Sequence, residues 1–334
     1  MKKNCFVGFD TSNYTTSVAL CDEAGRIVAN LRTPLPVAMG ERGLRQSDAV
    51  FAHIKNLPEL CDKLGEILRD EEYEVCAVGV SSRPRSTPGS YMPCFLSGVA
   101  AARSFASAAG VGVSEFSHQE GHVMAALYSS GQTERLLACE RFLAFHVSGG
   151  MTEALLGSTS ASTLSDGENR PFSLTLVGET GDLNAGQVID RAGVMMGMKF
   201  PCGAELEGLA SSYAGAVPSY RVSVREDGDK IACNLSGVEN QAKKLYEKSS
   251  DRSLVAAFVF ECVCKTLYAM AEELTKKYGE LPIIFSGGVM SNKLMRGRLS
   301  SRFDASFAEP AFSADNATGI ALLCRNKYLA DRGK

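Results

Sequence analysis

The chain has 334 residues, 45% hydrophobic and 22% charged, with a formal net charge of −3. These values exclude long disorder and collagen-like or fibrous architectures, and they argue against a strongly basic nucleic-acid binder acting alone. The length exceeds what one core usually supports, so two domains or two fused lobes are expected. Eleven cysteines are scattered from Cys5 to Cys324 without any C-x-x-C. That is the pattern of buried reduced thiols in a reducing compartment, not of a disulfide framework or zinc ribbon. Met1-Lys2-Lys3 leads into a strand and Asp10 without a cleavage pattern, and the uncharged stretch Ser86 to Ala102 is broken by two prolines and two glycines. A cytoplasmic chain with no membrane contact is therefore the expectation.

In chain order, Cys5 to Phe9, Thr15 to Leu20 and Arg26 to Leu31 read as a β-meander. Its first turn, Asp10 to Thr16, is unusually polar. Helical periodicity runs from Ser47 to Leu68, Val75 to Val80 is a buried strand, and Pro93 to Ala109 is a small-residue helix suited to close packing. The pattern then echoes. Phe142 to Val147 is a strand, Ser148-Gly149-Gly150 its polar turn, and Thr152 to Leu156 and Ser173 to Val177 follow as strands. Two such turns, rich in Gly, Ser and Thr, offer backbone N–H groups to phosphate oxygens. Helices are expected over Asp182 to Met196, from Gly203 to Ala210, and from an Asp251 cap to Gly279. Pro282 to Phe285 is a strand feeding Ser286-Gly-Gly-Val-Met-Ser-Asn292 and a helix, a geometry common at nucleotide sites and also used simply for tight packing.

Only four histidines occur, and three lie between residues 118 and 146. His118 and His122 are spaced i, i+4, which puts two imidazoles on one helix face at a separation suited to one metal ion; the alternative is two unrelated surface histidines. The segment is not a zincin motif. Gln119 stands where H-E-x-x-H has its base, and Glu120 lies about 200° round the helix from His118. His146, at a strand end, is a candidate third ligand or a histidine satisfied by backbone. Asp315 is a candidate ligand or the cap of the last helix. Asp190 and Arg191 read as a surface ion pair. Glu207 is either a charge favourable near a helix start or an acceptor for ribose hydroxyls. Asp10-Thr11-Ser12 positions Mg²⁺-bound phosphates or forms an Asx turn.

These pieces, in this order, resemble the TsaD/Gcp (KEOPS-type) tRNA threonylcarbamoyladenosine transferases over nearly the whole chain. The matching segments are His118-Gln-Glu-Gly-His122, Val147-Ser-Gly-Gly-Met-Thr152, Gly178-Glu-Thr180, Ala185-Gly-Gln-Val-Ile-Asp190, Phe200-Pro-Cys-Gly203, Gly287-Gly-Val-Met-Ser-Asn292 and Asp315-Asn316. The resemblance implies an α/β, two-lobed actin/hexokinase/Hsp70-like (ASKHA) fold of duplicated ribonuclease-H-like units. Residues 1–117, closed by a C-terminal helix near 312–332, would form one lobe, and 118–311 the other. It implies a metal-assisted acyl transfer of threonylcarbamoyl from threonylcarbamoyl-adenylate to N6 of adenosine 37 of tRNA. His118, His122, His146 and Asp315 would hold one divalent ion, iron or zinc, with Mg²⁺ accompanying nucleotide phosphates. The nucleotide, an adenylate or ATP-like molecule, would meet Ser148, Gly149, Gly150, Asp190, Gly203, Glu207 and Asn292, while Asp10 and Ser148 would take part in the chemistry. TsaB-like and TsaE-like proteins would be partners.

The sequence also departs from the family pattern. Asp10 replaces a Glu, Met151 a His or Asn, and Arg191 a Lys. The Gly-Pro-Gly loop becomes Ser82 to Ser90, and the acidic run becomes Gly181 to Gln187 without its Glu. A divergent member or a paralogue is expected. The alternatives are another carbamoyltransferase of the same fold and a non-catalytic nucleotide-binding partner, which would usually lack the histidine pair.

Overall fold

Strand and helix periodicity in the first third of the chain resolves into an antiparallel meander followed by a parallel crossover. The structure is a computed structural model and describes residues 2–12, 14–36, 44–160 and 169–333. Strands β1 (Lys3–Asp10), β2 (Thr15–Asp22), β3 (Ile27–Pro34), β4 (Tyr73–Arg83) and β5 (Val113–Ser117) form one sheet in the order β3-β2-β1-β4-β5. β1, β2 and β3 pair antiparallel, while β4 and β5 run parallel to β1.

The second sheet contains β6 (Arg141–Val147), β7 (Thr152–Ser158), β8 (Ser173–Thr180), β9 (Ser223–Asp227), β10 (Lys230–Asn234), β11 (Ile283–Ser286) and β12 (Ala305–Phe307). Its order is β12-β11-β6-β7-β8-β10-β9. The run β8-β7-β6-β11-β12 repeats the order of the first sheet, with β7 antiparallel to β6 and β11 and β12 parallel to it. The echo in the sequence is therefore a duplicated ribonuclease-H-like unit, and the fold is of the actin/hexokinase/Hsp70 type.

The chain divides into two compact units. One is Met1–Leu137, Thr159–Ser173 and Ala311–Lys334; the other is Ala138–Ser158 and Leu174–Pro310. The boundary differs from the expected 117/118. The helix His118–Ser129 does not open the second lobe; it packs against Thr318–Arg332 within the first unit. Glycines permit that contact. A Cβ on Gly319 would sit 1.9 Å from the Gly121 carbonyl oxygen, and one on Gly8 would sit 2.5 Å from the Ala321 nitrogen. Only backbone-to-backbone approach lets the last helix lie on both β1 and the histidine helix.

On the other face of the first sheet, the helices Gln46–Asp70 and Phe95–Ala109 cover Val7, Phe9, Val18, Leu20, Val78 and Val80 with Leu57, Leu60, Leu64, Ala102 and Ala106. The expected close packing of the small-residue helix occurs at Gly98, whose N–H donates to Thr11 Oγ1 at 3.0 Å.

In the second unit the helix Arg252–Tyr278 is capped by Asp251, whose side chain accepts from the N–H groups of Ser253 and Leu254. This helix is long and apolar enough to cross a membrane by length and composition, but 67% of its apolar window is buried. Phe258, Val259, Cys262, Leu267 and Met270 build the second core with Leu143, Phe145, Ile189 and Phe285.

Candidate metal centre and glycine-turn site

The first unit gathers its polar groups at the carboxyl end of β1. Asp10, Thr11 and Ser12 are at most 1% exposed. Asp10 Oδ1 accepts the Ser12 N–H at 2.8 Å, the expected Asx turn. Its Oδ2 lies 2.8 Å from His118 Nδ1. The Asx turn and the contact with His118 coexist, because a carboxylate has two oxygens.

His118 is the first residue of its helix, and the N-cap is Ser117. Ser117 Oγ accepts the Glu120 N–H at 3.2 Å, and the Ser117 N–H donates to Glu120 Oε2 at 2.7 Å. This capping box fixes where the helix begins and hence where the first imidazole points. Glu120, turned away from the histidines as the helix period requires, also pairs with Arg170. Burial alone would raise its pKa, but Arg170 and the Ser117 and Ser86 hydrogen bonds hold it below the usual carboxylate range.

One turn on, His122 lies beside His118, with ring centroids 4.2 Å apart and planes at 80°. Asp315 Oδ1 is 3.3 Å from His122 Nε2 and 3.6 Å from His118 Nε2. Asp315 does not cap the last helix. Asn316 Oδ1 takes the Thr318 N–H instead, at 3.0 Å, which frees the Asp315 carboxylate for the imidazoles. The donor atoms of His118, His122 and Asp315 lie within 4.8 Å of one another.

The donors fit a divalent metal. His118 Nε2 is buried with no hydrogen-bond partner while its Nδ1 is held by a carboxylate. A carboxylate behind the imidazole fixes the tautomer that presents Nε2 to a cation. Two nitrogens and one oxygen suit zinc or iron. Burial disfavours a charged His118, yet Asp10 and Asp315 outweigh it and raise the pKa to about 10. Burial also pushes both carboxylates upward, but the imidazoles beside them hold Asp10 and Asp315 below the ordinary range. The pocket is thus strongly attractive to positive charge, whether proton or metal.

His146 belongs to the second unit, at the end of β6, with Nδ1 3.4 Å from Ser286 Oγ. It is not among the three clustered ligands.

The remaining expected site residues also belong to the second unit. β6 and β11 are parallel neighbours, so Ser148–Gly150 and Gly287–Asn292 follow the same, carboxyl end of the strands. Ser148 Oγ accepts the N–H groups of Gly150 and Met151 at 3.3 and 3.1 Å. An added Cβ on Gly149 or Gly150 would meet nothing within 4 Å, so this turn is open. Gly186 packs under it, where a Cβ would sit 2.6 Å from the Gly149 nitrogen.

Asp190 and Arg191 do not pair with each other. Asp190 Oδ1 accepts the Cys202 N–H at 2.8 Å, beside Gly203, and Arg191 pairs with Glu239 at 3.1 Å. Burial raises the Asp190 pKa, and the Cys202 N–H opposes that. Glu207 Oε1 accepts the Lys293 N–H at 2.9 Å. Asn292 Oδ1 caps the next helix through the Met295 N–H, and its Nδ2 is buried without a partner. Ser148, Asp190 and Asn292 are thus fixed by backbone, and Gly149, Gly150 and Gly203 stay uncovered.

Sequence reasoning missed the Asp10–His118 contact and the Ser117–Glu120 capping box. The box was readable as S-x-x-E, whereas no local signal links residues 108 positions apart. Arg170 carried no signal either.

Duplicated ribonuclease-H-like units define a member of the ASKHA class, here with a His-His-Asp cluster in its first unit. Among solved structures, full-length HypF in its phosphate- and nucleotide-bound form superposes with a TM-score of 0.59 at 13% identity, covering 99% of this chain and 46% of that one. The present chain therefore spans less than half of HypF, and the likeness concerns the fold. Residues 41–322 match the TsaD family, described as tRNA N6-adenosine threonylcarbamoyltransferase. Proteins of that name from Streptococcus pneumoniae (strain Taiwan19F-14) and Streptococcus suis (strain 05ZYH33) are 28% and 26% identical. The first alignment covers 90% of this chain and 84% of the relative, the second 98% and 94%. The chain belongs to the TsaD family and is a transferase.

Proposed function

We propose that the protein transfers a threonylcarbamoyl group from threonylcarbamoyl-adenylate to N6 of adenosine 37 of tRNA. The observation that carries this reading is the His118–His122–Asp315 cluster with Asp10 behind His118. A merely nucleotide-binding relative has no need of a buried imidazole nitrogen left without a hydrogen bond beside a second imidazole and a carboxylate.

His118, His122 and Asp315 would hold one divalent ion, iron or zinc. When bound, the ion supplies Lewis acidity toward a carbonyl or phosphate oxygen. Asp10 keeps His118 in the productive tautomer, a positioning role that replaces the direct catalytic one expected from sequence. In the second unit, the open Ser148–Gly150 turn would present the Gly149 N–H to the adenylate phosphate, with Mg²⁺ alongside any polyphosphate, and so stabilise the leaving group. Asp190 and Glu207 would face the ribose, Gly203 would admit close approach, and the spare Asn292 Nδ2 would donate to the nucleotide. The transferred carbonyl is already activated, so the rate comes largely from holding the acceptor amine against it. TsaB-like and TsaE-like partners and a cytoplasmic location accompany this reading.

Supplying the gene to a host lacking its own threonylcarbamoyltransferase tests it. The expected result is restored modification of ANN-reading tRNAs, measured by mass spectrometry of nucleosides. Stable protein without modified nucleoside rejects the reading. The second reading, a carbamoyltransferase with another acceptor, rests on the replaced loop at 82–90. Formation of carbamoyl-adenylate from carbamoyl phosphate and ATP would select it.

A further inference from the structure

Away from the centres above, the first unit holds a cavity of about 360 Å³ lined by Arg83, Val113, Ser114, Glu115, Phe116, Arg170 and Lys327. We infer that this cavity binds a phosphate group, and that its occupant is a backbone phosphodiester of RNA. The phosphate chemistry stands on the cavity alone; the RNA source rests on the tRNA-transferase reading.

Three cations line the cavity against one carboxylate, and that carboxylate is already engaged. Glu115 pairs with Arg103 at 2.6 Å. Arg170 is balanced by Glu120, and Lys327 lies 3.4 Å from Asp331 in an i, i+4 pair. Arg83 has no carboxylate partner among the described residues; its side chain bonds only Ser82 Oγ, at 3.2 Å. The lining therefore keeps an excess of about one positive charge. That matches a phosphodiester, which carries one negative charge, better than free phosphate, which carries closer to two.

The donors are also held in place. The Arg170 guanidinium lies over the Phe116 ring, 5.6 Å from its centroid, and Nη2 donates to the Glu115 carbonyl at 3.3 Å. A stacked, hydrogen-bonded guanidinium loses little further entropy on meeting an oxyanion. β5, which forms one wall, is the edge strand of its sheet, so a chain-like ligand can reach the cavity from the side. The cavity also connects with the metal centre. Glu120, bound to Arg170, accepts from Ser117, and Ser117 caps the helix that begins with His118. Ser86, from the loop that departs from the family pattern, donates to the same carboxylate at 2.8 Å.

The test uses Arg83→Gln and Lys327→Gln, which leave the buried Arg170–Glu120 pair intact. Unfractionated tRNA and, separately, inorganic phosphate are titrated against the full chain over a range of salt. The expected result is tRNA affinity lowered about tenfold in each variant, with a log K against log salt slope shallower by about one. Melting temperature and bound metal should stay unchanged. If inorganic phosphate binding is lost in the variants while tRNA affinity holds, free phosphate is the occupant and the RNA assignment falls. If neither ligand distinguishes the variants from the parent, the cavity is not a phosphate site. A parent chain that binds phosphate but no tRNA at any salt overturns the RNA source, while the transferase reading stands or falls separately on the complementation test.

Discussion

The two ribonuclease-H-like units use one strand order for opposite purposes. In the first, the polar turn after β1 is closed: Asp10, Thr11 and Ser12 are buried, and Asp10 reaches out of its own turn to orient His118. In the second, the turn after β6 is open: Ser148 folds back on its own backbone, and Gly149 and Gly150 face empty space. The difference is one of side chains and not of topology. A short carboxylate in the first turn makes a support for the His118 imidazole, whereas two glycines in the second leave the turn bare and the Gly149 N–H available to something that arrives later.

The largest blow to this contrast should come from Gly319→Ala. Its Cβ would meet the Gly121 carbonyl oxygen at 1.9 Å, with backbone on both sides and nothing flexible to yield. A loss of about 3 kcal/mol or more is expected in chemical denaturation, together with a disturbed Asp315. By contrast, Gly149→Ala in the open turn should change stability by no more than about 0.5 kcal/mol and act through the nucleotide KM. Equal stability losses would remove the distinction between a closed and an open turn.

Next in size is the metal. His118→Ala should abolish bound ion in elemental analysis. Asp10→Asn should weaken metal affinity by about 10- to 100-fold without abolishing it, as expected of a group acting behind a ligand. Titration with a competing chelator measures this, and unchanged affinity would remove the positioning role of Asp10.

A further effect is a pH dependence confined to the first unit. His53 is fully buried, with Nδ1 2.9 Å from Thr16 Oγ1 and Nε2 without a partner. Burial pushes its pKa down to about 4 from 6.5, against a weaker upward pull from Asp10 and Asp315. The native state thus binds the proton less readily than the unfolded chain. The contribution is complete above pH 6.5 and is lost as pH falls from 6.5 toward 4. Hydrogen exchange should show the β2 and Gln46–Asp70 region loosening over that window, and His53→Gln should flatten the response.

Much of this was legible from residues alone. The strand–turn–strand echo foretold the duplicated sheet, because a two-residue side-chain period and Gly/Ser turns are local properties. The i, i+4 spacing put His118 and His122 on one helix face for the same reason. Asp190 and Arg191 misled, since neighbours on a helix do not face each other and each finds a partner elsewhere.

The fold class, the histidine pair and the glycine turns are all written in short-range periodicity and spacing, and so could be read from the residues. Long-range packing is what puts the histidine helix in the first unit, turns Asp315 toward His118 and His122 instead of capping the last helix, and sets Asp10 behind His118. The physical reason is that each depends on the last helix lying backbone to backbone on Gly8 and Gly121. That contact joins residues about 200 or more positions apart, and no local pattern encodes it.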